Sequence, residues 1–409
     1  MTNLLWPGDQ RAGELMTDAA LLAAMVGVES AWLNALASAG LAPGECAGAD
    51  LERLVGPADC ETLAVASEDG GNPVIGLVAL LRERATGEVS RWIHRGLTSQ
   101  DVIDTGLMLA ARAAVDQLIS QLAEQISTLS ALATTHRGTQ MVARTLTQHA
   151  VPTTFGAKAA TWLNGVVDAY QQLSALTTPI QIGGAGGTLA ATTELATLTG
   201  GQGHAAEVSG QLVQTAATTL GLGIRAPWHT TRMPVTALAD ALVGCTDAWG
   251  RIASDVVTLV RPEIAELSEP APGDRGGSSS MPDKRNPVLS ILIRRAAISA
   301  PPLAATLHTA AALSNDERPD GSWHAEWDTL RTLARRTVVA GSQCGELLAG
   351  LAVHPGQMAE NLGSADVLGE QRVIADLAGK TQSARYFGAV DALIDESLDR
   401  AKRIVKERP

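Results

Sequence analysis

The chain has 409 residues, 45% of them hydrophobic and 3% aromatic, with a formal net charge of −12. That length implies two or three domains and not one simple core. The acidic balance, with a pI near 5.2, argues against nucleic acid or an anionic membrane as partner, because phosphate binding needs a basic face; an anionic small molecule stays open, since a local cationic pocket can override the global sign.

Ala and Leu are prominent, and small aliphatic side chains suit close helix packing. Alternating β-branched runs are few, so a nearly all-α protein is expected. Cys46, Cys60, Cys245 and Cys344 are scattered without metal-ligand spacing. They read as buried or free thiols of a reducing cytoplasm, and no metal or other cofactor is expected. The first residues lack a basic stretch before an apolar core, so no signal peptide is expected. No apolar run reaches membrane-spanning length without Gly, Pro or charge.

In chain order, residues 17–40 read as a first helix capped by Thr17 or Asp18, with Leu21, Leu22, Met25, Val28, Trp32 and Leu36 at helical spacing. Asp69-Gly70-Gly71-Asn72-Pro73 is a turn. One long helix runs from Thr98 to about His136, and a second follows Pro152. A third covers about 231–267. A fourth starts at Pro287 and is expected to kink at Pro301-Pro302, and a fifth runs from about Trp327 to Leu351. Such helices bury their apolar stripes only against each other, which predicts an elongated central bundle. Gly183–Gly187 and Gly200-Gly201-Gln202-Gly203 are breaks. The first lacks the Lys-Ser/Thr ending of a phosphate-cradling loop.

Four blocks carry chemistry. Trp92-Ile93-His94-Arg95-Gly96-Leu97-Thr98-Ser99-Gln100-Asp101 ends on capping-box spacing. A cap accounts for Thr98 and Asp101, but not for His94 or Ser99. The second block runs from Arg144-Thr145-Leu146 through His149 to Gly156. The third is Pro227-Trp228-His229-Thr230-Thr231-Arg232, and the fourth is Arg318 to Trp327 with His324. Residues 277–287, Gly-Ser-Ser-Ser-Met-Pro-Asp-Lys-Arg-Asn-Pro, cannot continue a helix and form a loop rich in hydroxyls and cations.

This last stretch resembles the signature of the fumarase/aspartase superfamily, which includes argininosuccinate lyases, adenylosuccinate lyases and the bacterial 3-carboxy-cis,cis-muconate cycloisomerases. The resemblance implies an all-α, three-domain fold. It would comprise an N-terminal helical domain (1–97), a central long-helix bundle (98–350) with the signature loop at 273–287, and a shortened C-terminal helical domain (351–409). It also implies a cytoplasmic homotetramer whose active sites each draw on three subunits. Ser278 takes the place of the superfamily's proton carrier, with Lys284 and Asn286 stabilising an enediolate. His94, Thr98, Ser99, Arg144, Thr145, His149, His229, Arg232, Ser279, Met281, Arg318 and His324 take the substrate-binding places.

Two positions depart from the amine- and water-releasing lyases. Those enzymes carry a proton-transferring His where this chain has Leu146, and its partner Glu where this chain has Ile291. The Trp-His blocks resemble the cycloisomerase branch, whose substrate has three carboxylates. That reaction adds the substrate's own carboxylate across a double bond; in reverse the leaving group is this carboxylate, with a pKa of about 4, and it departs without an acid. Two alternatives stand beside this reading: an eliminating enzyme like the adenylosuccinate lyases, and a non-catalytic structural homologue.

Overall fold

The computed structural model of the chain describes residues 3–199 and 204–406. Four helices come first: α1 (Asp18–Ser38), α2 (Cys60–Gly70), α3 (Val74–Arg84) and α4 (Gly87–Trp92). The long α5 (Ser99–Thr135) leads to a hairpin of β1 (Gln140–Thr145) and β2 (Gln148–Thr154), then to α6 (Phe155–Ser174). Next are α7 (Ala190–Leu198), α8 (Ala205–Leu220) and α9 (Met233–Leu259). A short strand, β3 (Leu267–Ser268), precedes the signature loop, α10 (Val288–Ala312) and α11 (Gly321–Ala349). Strand β4 (Ala352–Val353) pairs antiparallel with β3, and α12 (Pro355–Gly363), α13 (Gly369–Leu377) and α14 (Val390–Lys406) follow.

The chain divides into two compact units, each drawing on three stretches. Unit 1 comprises Met1–Asp116, Leu176–Asp240 and Pro302–Arg335, and unit 2 comprises Gln117–Ala175, Ala241–Pro301 and Arg336–Pro409. In unit 1 the Thr17 hydroxyl caps α1 by accepting from Ala20 N at 3.2 Å. Leu22, Met25, Val28, Trp32 and Leu36 on α1 are buried with Leu77, Leu81, Val102 and Leu107. A Cβ at Gly106 would lie 3.1 Å from Met25 Cγ, so the missing side chain lets α5 approach α1 closely. By length and composition α1 and α10 could each cross a membrane. However, 56% of the apolar window of α1 is buried, as in a core helix. In unit 2, Trp249 donates to Gln125 Oε1 at 2.7 Å, and Gln125 Nε2 donates to Gly341 O at 2.9 Å. Helix α14 seats Ile394 among Ala133, Ala159 and Ala160.

The expected helices are present with shifted ends. The third stops at Leu259 instead of about 267, because Pro262 has no N–H to continue it. The fifth begins at Gly321, which brings Trp323, His324 and Glu326 onto the helix. Gly200-Gly201-Gln202-Gly203 lies outside the described residues.

The β1–β2 hairpin is a feature the sequence reading lacked. Thr145 pairs with Gln148, so Leu146 and Thr147 form a two-residue loop, with φ of 47° and 72°. Both positive values match a type I′ turn, which favours Asn-Gly. Leu146 projects from the tip and is 96% exposed within the chain. A β-branched residue at positive φ is strained. Thr147→Gly should therefore stabilise the protein by about 1 kcal/mol, read as a higher midpoint in chemical denaturation; an unchanged midpoint would show that the turn carries no strain.

Candidate active site

In unit 1 one carboxylate organises the first and third blocks. Asp101, fully buried near the start of α5, accepts from Thr98 N at 3.0 Å and from the N–H groups of Gly183 and Gly184 at 2.9 Å each. It also meets His229 Nε2 at 2.9 Å, so His229 is anchored through that nitrogen. The glycines are needed here, because a Cβ at Gly183 would sit 2.8 Å from His229 Cε1. The amides of Asp101 and Val102 already bond to Thr98 O. Ser99 N–H, at the start of this first turn, has no backbone partner among the described residues, a setting that favours an anion, whereas Gln100 is fully buried. The Thr98 hydroxyl accepts from Arg318, which is exposed. Thr98, Arg318 and His229 are thus joined through Asp101 in one network, and Ser99 follows Thr98 in the chain.

Arg232 is a correction. Its side chain is 1% exposed and forks onto Asp104 at 2.7 and 3.0 Å, while Nε meets Glu326 at 3.1 Å. Its plane also lies 4.8 Å from the Trp228 ring. Every donor faces a protein acceptor, so none is left for a substrate carboxylate. Burial alone would lower its pKa, but Asp104 and Glu326 more than offset this and hold it above the ordinary value. Burial also pushes the Glu326 carboxyl up, against the pull of Arg232. Trp323 Nε1 and Gln100 Nε2 complete the shell of Asp104. His324 is exposed on α11, edge-to-face with Trp323 and tilted against Trp327. His94 lies partly buried with Nδ1 2.6 Å from Glu29.

Unit 2 holds the remaining blocks. Arg144 on β1 forks onto Glu266 at 2.7 and 3.0 Å, and Asn361 also donates to Glu266. That fork is filled within the chain, so substrate binding by Arg144 would require it to exchange partners. Thr145 and His149 flank the exposed hairpin tip. The signature loop is closed at its root. Asn286 N and Nδ2 both donate to Gly276 O, at 2.8 and 3.0 Å, and a Cβ on Gly276 would strike Asn286 O at 2.5 Å. Glu269 caps α10 by accepting from Leu289 N and Ser290 N. Within the loop, Ser278 Oγ accepts from Met281 N at 3.2 Å and from Ser280 N at 3.4 Å. Two amides aimed at a hydroxyl oxygen favour negative charge on it. Ser279, Met281 and Lys284 are exposed, and Lys284 makes no ion pair among the described residues.

The sequence reading missed the acids behind these groups: Glu29, Asp104, Glu266 and Glu326, all at most 1% exposed as side chains. A signal existed, because an isolated acid within an apolar helical stripe, as Glu29 is, is rarely buried without a partner.

The lyase family pattern matches residues 57–301. A nitrosuccinate lyase from Streptomyces davaonensis is 42% identical over 386 residues, covering 90% of this chain and 79% of the relative. A 3-carboxy-cis,cis-muconate cycloisomerase from Bradyrhizobium diazoefficiens is 40% identical over 354 residues, covering 84% and 75%. Among solved structures, the 3-carboxy-cis,cis-muconate lactonizing enzyme of Pseudomonas putida superposes with a TM-score of 0.81 at 29% identity, over 96% of this chain and 97% of that one. With this fold and these blocks, the chain belongs to the lyase family of the fumarase/aspartase superfamily.

Proposed function

We propose that the chain is an enzyme that makes or breaks a bond between a carbon of a polycarboxylate and a weakly basic leaving group. The observation that carries this is the pair Leu146 and Ile291. Neither side chain moves a proton, so amine or hydroxide departure would lack its general acid. Ser278 serves the other half of the reaction. In the elimination direction it takes the proton from the carbon beside a carboxylate, and the electron pair enters that carboxylate as an enediolate. The pair then returns to form the carbon–carbon double bond as the leaving group departs with its own electrons. Lys284 stabilises the enediolate, and the open N–H of Ser99 at the start of α5 holds a second carboxylate. Lys284→Ala should lower kcat/KM by about a hundredfold, and an unchanged value would remove Lys284 from the site.

The first specific reading is cycloisomerisation of 3-carboxy-cis,cis-muconate, in which the substrate's own carboxylate adds across the double bond. Relatives and solved structures of that name support it. A second reading is elimination of nitrite from nitrosuccinate, supported by the 42% identical relative. Nitrite is also a weak base and leaves without an acid. Arg232 and Arg144 are occupied by Asp104, Glu326 and Glu266, and fewer free cations suit a substrate with two carboxylates. The two readings separate in one assay. Loss of diene absorbance with the muconate supports the first, and nitrite release from nitrosuccinate supports the second. Turnover of neither favours a non-catalytic homologue.

We further propose a homotetramer whose shared sites bring the two sets of blocks together from different chains. Exposed Ile291 and Ile298 on α10 and exposed Leu146 support it, as apolar side chains of this size seek cover. Light scattering that gives one 42.4 kDa chain in dilute buffer would overturn it.

A further inference from the structure

Three consecutive residues in the first block are each tied down from behind. Arg82 on α3 donates to Ile93 O at 2.8 Å, and Trp32 Nε1 on α1 donates to Arg95 O at 2.7 Å. Between them, His94 Nδ1 lies 2.6 Å from Glu29 Oε1. His94 itself adopts φ 64°, in the left-handed region. A histidine held there by three flanking tethers is an over-determined conformation, of the kind that gathers at functional sites.

Glu29 is unusual in its own right. It sits within α1 beside Met25, Val28, Trp32 and Leu33, all buried, and its side chain is 0% exposed. Its second oxygen, Oε2, has no hydrogen-bond partner among the described residues. A buried carboxylate with one oxygen unsatisfied weakens a core, so its retention needs a reason. The imidazole in front of it is 17% exposed, and its Nε2 makes no hydrogen bond among the described residues.

We propose that Glu29 is a positioning residue for His94. A carboxylate can only accept, so it fixes the proton on Nδ1 and turns Nε2 outward. It also supports the imidazolium when a substrate carboxylate approaches Nε2, so that the charged ring donates to the substrate in front and to Glu29 behind. The same logic orients metal-binding and catalytic imidazoles through a carboxylate at the far nitrogen. This rests on the polycarboxylate reading above, but the clamp can be tested without turnover.

The first measurement is proton and nitrogen NMR of histidine-labelled protein, with His94 assigned by loss of its signal in His94→Gln. The expected wild-type signal is an Nδ1 proton shifted far downfield by the short bond to Glu29. Glu29→Gln, which keeps size and removes charge, should move it upfield, and Glu29→Leu should abolish it. The second is a cycle on whichever substrate turns over. Glu29→Gln should raise KM by about tenfold and Glu29→Leu by up to about a hundredfold, with kcat much less affected. In a His94→Gln background the Glu29 substitutions should add nothing. An Nδ1 signal unchanged by both Glu29 variants would overturn the proposal, as would equal KM effects with and without His94. If the NMR signal moves as expected but the wild type converts no polycarboxylate, the functional reading fails and the clamp stands.

Discussion

Ser278→Ala is expected to lower kcat by at least about a hundredfold, the usual loss for an acid–base group. The reasoning starts from the loop and not from the motif alone. Ser278 Oγ already accepts from the amides of Met281 and Ser280, so a charge developing on that oxygen meets two donors that need not move. Alanine removes the oxygen and leaves the amides with nothing to act on. The fold should not suffer, because Ser278 lies on a loop whose root is closed by Asn286 and Gly276. Ser280→Ala, two residues further on, keeps its main-chain amide and is the control, with a much smaller effect expected. Steady-state kinetics with the turned-over substrate, alongside thermal melts, make the comparison. A Ser278→Ala variant within about threefold of wild type would remove it as the proton carrier.

Arg232→Met should destabilise the fold by about 3–5 kcal/mol, because it leaves Asp104 and Glu326 buried without their cation. The effect on stability should have a definite pH dependence. Burial already holds the Glu326 carboxyl above its ordinary range in the folded chain. A carboxyl raised on folding contributes stability below its unfolded pKa and loses it as pH rises through the folded one. Without Arg232 the rise should be larger, so the variant should fall furthest behind wild type near neutral pH. The deficit should narrow as pH drops into the carboxylate range and one acid takes a proton. In the wild type the guanidinium stays charged throughout, being held above its ordinary value. Urea denaturation at several pH values tests both statements. A deficit constant across pH would mean that the two acids are not what Arg232 compensates.

Much of the helical framework was legible because apolar periodicity survives in a single sequence. Asp18–Ser38 and Ser99–Thr135 fall within a residue or two of where spacing and caps put them. The hairpin was not legible. Its two-residue loop is Leu-Thr instead of Asn-Gly, and Pro152 interrupts β2, so neither turn nor strand signals were strong. The candidate site divides in the same way. The blocks could be read off, since each is a short local string. Their polar partners could not, because Glu29, Glu266 and Glu326 lie 65, 122 and 94 residues from the groups they hold. Arg232 shows the consequence: an arginine inside a functional block reads as a ligand for substrate until its two buried acids are known.

The closed root of the signature loop has an evolutionary consequence. Asn286 grips Gly276 through main chain and side chain, and Glu269 separately secures the first turn of α10. The stretch from 277 to 285 therefore behaves as a cassette plugged into a fixed socket. Its residues can be exchanged without unravelling the helix that follows. Libraries confined to the positions of this stretch other than Ser278 and Lys284 are a direct route to new substrates, and the same freedom is open to natural drift, which can retune the reaction while the scaffold is inherited unchanged.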